Sequence, residues 1–295
     1  MDLPTQWNDI FYNVIKNIIQ PQLQSTPLGK WRHPGHQKHK TDNTPLQSIQ
    51  TAPRWQRKLW RGRVFSENDL SRVIAHLNEN NLRIAGDGSV RDQLGSFAFC
   101  FAPKNKEKPF LTCTGPVDGN HHHTRALRAE SSHVLAALTF LHRLEPFIEN
   151  SKVIIPVHTD CKTLINRVTM SHINRPSLVL GDHMDLIYEI RNIVSKSNFQ
   201  FDFRFTQAIK KAEFELKSQE EKLVQQMHVR AYGYYLQKGF VVPRHFSDVL
   251  PGSDITLIAN GKPIVSNIGM SLQNLERKQL REAYFLDRLN IDKKP

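Results

Sequence analysis

Cysteine is scarce in this chain. Its 295 residues hold three, Cys100, Cys113 and Cys161, with no CxxC spacing among them. An odd set without paired spacing argues against a disulfide framework. Cys100 and Cys113 fall in apolar, strand-like runs and read as small reduced hydrophobes. Long apolar runs are also missing: none approaches the roughly 20 residues that cross a bilayer, so no membrane partner is expected. The first 30 residues lack a positive stretch followed by an apolar one, so no secretory signal is visible. The setting expected from these absences is intracellular and reducing, nuclear or cytoplasmic. Acidic residues are in deficit as well. Twenty-eight Asp and Glu face 40 Lys and Arg, a net charge of +12, which favours a polyanionic partner, above all nucleic acid. More than half of that surplus, +7, lies in residues 1–63, where ten Lys/Arg face three Asp.

The apolar pattern divides the chain into three parts. Residues 1–79 read as a basic N-terminal segment. Within it, a helix-period stripe runs over 7–20, an extended or disordered stretch rich in Pro, Gln, His and Lys covers 21–57, and a short helix begins at a Ser66 N-cap. Residues 80–238 read as one folded domain. Leu82–Asp87, Gly95–Ala102 and Phe110–Gly115 are predicted strands joined by short links, hence an antiparallel meander. The most strongly periodic helix follows over 127–144. Val153–Val157 is a continuous apolar run, as expected for a buried central strand. Helices are predicted from Asp160 and over 182–194, an alternating strand over 199–205, and a long charged helix over 213–236. Strands four and five are reached through helical crossovers and should therefore be parallel. Residues 239–295 read as an extension, with a hairpin about Asn260-Gly261 and a helix over 272–289.

Three acids stand out against this pattern. Asp87 lies in Ile84-Ala85-Gly86-Asp87-Gly88-Ser89, Glu130 in Arg128-Ala129-Glu130-Ser131 and Asp160 in Val157-His158-Thr159-Asp160-Cys161. Taken singly, Asp87-Gly88 suits a turn, Glu130 a first-turn acid and Asp160 a helix N-cap. Taken together, with strands one and four side by side, they would gather at one sheet edge. Converging carboxylates bind hard cations such as Mg²⁺ or Mn²⁺, and a pair of such ions hydrolyses phosphodiesters. They are the candidate catalytic and metal-ligating residues.

In their order and spacing, Asp87-Gly88-Ser89, Arg128-Ala129-Glu130 and Thr159-Asp160-Cys161 resemble the first three motifs of type 1 ribonuclease H domains of the retroelement kind. Gly115-Pro116-Val117-Asp118-Gly119 and the segment 255–289 are similar to the same retrotransposon reverse transcriptase polyproteins. The resemblance covers 80 to about 238. It implies an α/β, ribonuclease H-like mixed five-stranded sheet, three strands antiparallel and the rest parallel, flanked by helices. It also implies Mg²⁺- or Mn²⁺-dependent cleavage of RNA in RNA–DNA hybrids, with nucleic-acid contact at Ser89.

The family's late motifs depart. Its fourth carboxylate is expected where Tyr232 stands in His228-Val229-Arg230-Ala231-Tyr232. Its His-Gln-Asp word after strand five is replaced by Thr206-Gln207-Ala208. Asp202, Glu213 and Glu215 are nearby acids, though none lies at the expected phase. The alternative is therefore an inactive nucleic-acid-binding remnant of such a polyprotein. Two further features remain. Arg54, Arg57, Lys58, Arg61 and Arg63 interleave with Trp55 and Trp60, either a phosphate-and-stacking surface or a basic linker whose indoles anchor it. His121-His122-His123 reads as a solvated loop, because no Cys or acid accompanies it at ligand spacing.

Overall fold

The structure is a computed structural model that describes residues 44–60, 63–118, 124–150, 152–170, 182–207, 218–238, 250–251, 257–259, 262–264, 273–274 and 277–278. The helix expected over 7–20, Arg61, the His121–His123 loop and the Asn260-Gly261 turn lie outside them. Of the helix expected over 272–289, four residues are described, and all four are helical.

Five strands form one mixed sheet: β1 (Arg83–Arg91), β2 (Leu94–Ala102), β3 (Leu111–Pro116), β4 (Ile154–Thr159) and β5 (Gln200–Phe205). Their order is β3-β2-β1-β4-β5. β1, β2 and β3 pair antiparallel, while β1–β4 and β4–β5 pair parallel. This is the topology expected from the short early links and the helical late crossovers. A small antiparallel pair, β6 (Leu257–Ala259) with β7 (Lys262–Ile264), lies where the C-terminal hairpin is expected.

β1 is longer than its apolar content suggests. It does not stop at Asp87-Gly88 but runs on to Arg91, and Asp87 pairs with Ala98 in its middle. The reversal into β2 is the two-residue turn Asp92-Gln93, both with positive φ (49° and 67°). Such turns match the twist of the strands they join but usually announce themselves with Asn-Gly or Asp-Gly.

Helices cover both faces. On one lies α4 (Ala126–Leu144), buried along almost its whole length from Arg128 to Leu141. It packs on Phe97, Phe99 and Phe101 of β2, and Phe101 and Phe140 have ring centroids 5.5 Å apart. On this side also lie α1 (Pro45–Gln50), α2 (Arg54–Leu59), α3 (Glu67–Asn78), α5 (Lys162–Thr169) and α6 (Met184–Lys196). On the other face lies α7 (Gln219–Lys238). It sets Leu223, Val224, Met227 and Ala231 against Ala85, Ala98, Cys100 and Ala102. Small side chains on that face let the helix come close: Ser96 Oγ donates to Ala231 O at 2.7 Å and Tyr235 OH to Gly95 O at 3.0 Å.

α1 and α2 correct the expectation of an extended stretch through 57. The Thr44 side chain accepts from Gln47 N at 3.2 Å, and Pro45 occupies the first helical position, where its missing N–H has no cost. These helices are too short to stand alone; Ile49, Ala52 and Trp60 join the core. α3 starts where expected, with a capping box between Ser66 and Asp69. Cys100, Cys113 and Cys161 are free thiols, the first two buried. Burial pushes both buried thiols up to about 12. Among the described residues no helix is long and apolar enough to cross a membrane.

Candidate metal centre

The parallel pairing of β1 with β4 matches Ile84 to Val157 and Ala85 to His158. Continuing that register sets Asp87 level with Asp160, just past the end of β4 at Thr159. Alternation along β1 turns Ala85 and Asp87 to the α7 face and Gly86 and Gly88 to the α4 face. Glu130 approaches from α4. Two helices on opposite faces thus address one opening, where β4 no longer flanks β1.

The two glycines around Asp87 set the distance. A Cβ at Gly88 would stand 2.3 Å from Ala129 C and 2.4 Å from Glu130 N, and one at Gly86 would stand 2.2 Å from His133 Nδ1. The backbone of α4 is therefore seated directly on β1. That closeness lets Gly88 N–H donate to Glu130 Oε1 at 3.2 Å. His133, one turn further along α4, hydrogen-bonds through Nε2 to Glu130 Oε2 at 3.2 Å, and Thr159 Oγ1 approaches the same oxygen at 3.4 Å.

One carboxylate oxygen each from Asp87, Glu130 and Asp160 lies within 4.8 Å of the others. Asp87 is 1% exposed and Glu130 7%. Burial first, and the neighbouring Asp160 charge next, push Glu130 up to about 8. Asp87 and Asp160 are also raised, each by burial and then by another carboxylate of the trio. His133 is pushed the other way, to about 4, by complete burial, so its ring is neutral. Three acids at this spacing, Asp87 and Glu130 buried and Asp160 half-buried, repel one another in their ionised forms, and a divalent cation removes that cost. The donor set is all carboxylate oxygen, which suits Mg²⁺ or Mn²⁺. The residues therefore fit the ion that the resemblance implies.

The single-residue readings do not describe these positions. Asp87-Gly88 is strand, not turn. Glu130 lies beyond the first turn of a helix that begins at Ala126. Cys161, not Asp160, occupies the N-cap of α5.

The helix expected to carry a fourth carboxylate contributes an imidazole. His228 Nδ1 lies 2.7 Å from Asp87 Oδ2, and His228 is raised above its ordinary range, chiefly by that hydrogen bond. Tyr232 is one turn further on and 48% exposed, its ring stacked parallel to His228 with centroids 6.5 Å apart. The Arg91 guanidinium sits 5.5 Å above the Tyr232 ring. Asp202 is paired with Arg204 on β5, and Glu213 and Glu215 lie outside the described residues. Sequence reasoning aimed at Tyr232 and missed His228; four residues apart on a helix, they share one face. His133 and Thr159 were missed as well. Nothing in their local pattern marks them, because their roles come from packing across the sheet.

The other residues of interest are dispersed. Ser89 follows Asp87 by two positions on β1, level with Ser96 of β2. Arg54 and Arg57 are exposed on α2. Arg63 pairs with Asp69 at 3.0 Å and donates to Thr112 O at 2.8 Å. Trp60 is buried edge-on against Phe140, with centroids 5.8 Å apart, and Trp55 packs against the core. The indoles are thus anchors, not stacking surfaces. Arg128 is structural too, donating to Asp118 O at 2.7 Å and pairing with Asp185 at 3.0 Å.

Among solved structures, the chain is similar to LC11-RNase H1 in complex with an RNA/DNA hybrid. Identity is 14%, coverage 42% of this chain and 84% of that one, and TM-score 0.31. An N-terminal ribonuclease H domain from Mycobacterium tuberculosis, solved fused to maltose-binding protein, shows 11% identity, coverage of 51% and 97%, and TM-score 0.31. LC11-RNase H1 isolated from compost by a metagenomic approach shows 16% identity, coverage of 42% and 84%, and TM-score 0.30. Likeness at this level does not assign an activity. No family model matches the chain, and no curated protein does.

Proposed function

We propose that residues 80–238 form a ribonuclease H-like, divalent-cation-dependent nuclease domain of retroelement origin that cuts the RNA strand of RNA–DNA hybrids. Residues 1–79 would be its basic approach and 239–295 its C-terminal extension. One observation carries this reading: three acids, 43 and 30 residues apart in sequence, bring carboxylate oxygens within 4.8 Å of one another at one sheet edge. Asp87, Glu130 and Asp160 would hold Mg²⁺ or Mn²⁺, which when bound supplies charge for the attacking and leaving oxygens of the phosphodiester. The chain's own groups do the rest. Gly88 N–H and His133 fix the Glu130 carboxylate, so little reorganisation is needed as charge develops. Ser89, Arg54, Arg57, Lys58, Arg61 and Arg63 are proposed contacts to the nucleic acid, with Arg63 limited by its pairing to Asp69.

The test is cleavage of a labelled RNA–DNA hybrid in Mg²⁺ and in Mn²⁺. Cleavage by the wild type that falls at least about 100-fold in Asp87→Asn supports the reading; cleavage equal in both proteins refutes it. A second reading is favoured by His228 replacing a carboxylate and by the net charge of +12: a domain that binds hybrid without turnover. It predicts salt-sensitive hybrid binding with no cleavage by the wild type.

A further inference from the structure

We infer that His228 is a positioning residue for Asp87: its imidazole fixes that carboxylate in the orientation at which it meets Glu130 and Asp160, without itself binding the cation. The inference rests on the metal-binding reading above and adds to it a residue that touches no ion.

Glu130 shows what a ligand in this place requires. Its Oε1 accepts from Gly88 N–H at 3.2 Å, and its Oε2 meets His133 Nε2 at 3.2 Å and Thr159 Oγ1 at 3.4 Å. Asp87 is as deeply buried, at 1% exposed, and a buried carboxylate oxygen left unpaired is costly. His228 Nδ1 supplies the partner, 2.7 Å from Asp87 Oδ2. A carboxylate that binds a cation is ionised, so Nδ1 carries the hydrogen of that contact. Glu130 and Asp160 bring two like charges up to Asp87. A donor from α7 opposes the turn away from them that this repulsion drives.

The donor is itself held. α7 buries Val224, Met227 and Ala231, before and after His228, against the small residues of β1 and β2. One turn on, the Tyr232 ring lies nearly parallel to the imidazole, with 18° between planes and centroids 6.5 Å apart. The Arg91 guanidinium lies 5.5 Å from the Tyr232 centroid. Arg91 is four positions beyond Asp87 in β1, on the same face of the strand. The run Asp87, His228, Tyr232, Arg91 thus leaves β1, follows one turn of α7 and returns to β1. Contact with one strand at two points sets the direction of the imidazole as well as its distance. A carboxylate at 228 would add a further negative charge beside Asp87. In this chain α7 therefore steadies a ligand already present.

The test uses the full chain with Mn²⁺ alone, titrated by calorimetry well below each variant's unfolding temperature. His228→Ala should weaken Mn²⁺ binding about 10–100-fold. His228→Asn, whose side-chain N–H can take the place of Nδ1–H, should recover most of that loss. Tyr232→Ala should lose less than His228→Ala, because the hydrogen bond to Asp87 can still form. Pulsed electron paramagnetic resonance of bound Mn²⁺ should show no directly coordinated nitrogen. Wild-type affinity in His228→Ala overturns the inference. Equal losses in His228→Ala and His228→Asn also overturn it, since they would mark packing and not the hydrogen bond. A coordinated nitrogen that disappears in His228→Ala makes His228 a ligand and overturns it too. All three results leave the carboxylate centre standing. No Mn²⁺ binding by the wild type removes the metal reading itself, and the inference with it.

Discussion

Gly88 shows how much a single missing side chain can determine. Its lack of a Cβ lets the backbone at Ala129 and Glu130 rest on β1, and the Gly88 N–H then meets Glu130. Gly88→Ala should destabilise the fold by about 1–3 kcal/mol through overpacking. It should weaken Mn²⁺ binding more than Gly115→Ala does, because the atoms facing a Cβ at Gly115 lie at 2.9 Å or more and are led by the Phe97 ring. Denaturant titration and Mn²⁺ calorimetry on both variants check this; equal cation affinity would refute it. The trio of acids was legible in the sequence, because Asp87, Glu130 and Asp160 each interrupt an apolar or tightly turned pattern. The role of Gly88 was not, since it depends on what packs across it. His228 was hidden for another reason: 228 and 232 share one face of α7, so how far the helix reaches along β1 decides which of them is level with Asp87, and that depends on packing across the sheet.

Among the elements, the link between β1 and α7 deserves a measurement of its own. Arg83, at the start of β1, is 1% exposed. Its guanidinium is bound by Glu220 and accepted by Lys106 O at 2.6 Å and Gln219 Oε1 at 3.1 Å. Burial lowers the arginine, and the Glu220 charge opposes that shift. Glu220→Ala would leave the cation buried with less compensation and should cost about 1–3 kcal/mol, seen as a lower urea midpoint. Because α7 carries His228, the hydrogen-bond partner of Asp87, the same variant should also weaken Mn²⁺ binding; an unchanged midpoint would show that the pair does not anchor the helix. Element order and pairing were readable from periodicity and link length. The extent of β1 and the helices α1 and α2 were not. The first continues through Gly-Asp-Gly because β2 pairs with it throughout. The others exist because Ile49, Ala52 and Trp60 find a core to enter.

At the scale of the whole molecule, buried histidines set the response to acid. His158 is lowered to about 4 and His183 to about 3, both first by burial. An unfolded histidine binds its proton near 6.5. Between that value and the folded ones, the unfolded chain holds more protons than the native one. Stability is therefore full above about 6.5 and is lost as pH falls toward 4. Each such group contributes a slope of up to about 1.4 kcal/mol per pH unit. Glu130, raised to about 8, acts in the opposite sense between its unfolded value and 8, so the comparison must be made between variants. His183 has φ 63°, which asparagine tolerates. His183→Asn should flatten the fall in unfolding free energy between pH 6.5 and 4 relative to wild type; parallel curves would refute the assignment.

The distribution of thiols has a practical corollary. Cys100 and Cys113 are sealed in the two cores on either side of the sheet, while Cys161 lies partly open beside Asp160. An alkylating reagent therefore meets a single partly open sulfur on the native chain, one residue from Asp160. The other two become reachable when the sheet and its helices separate, so the same reagent reads out the centre first and global opening afterwards.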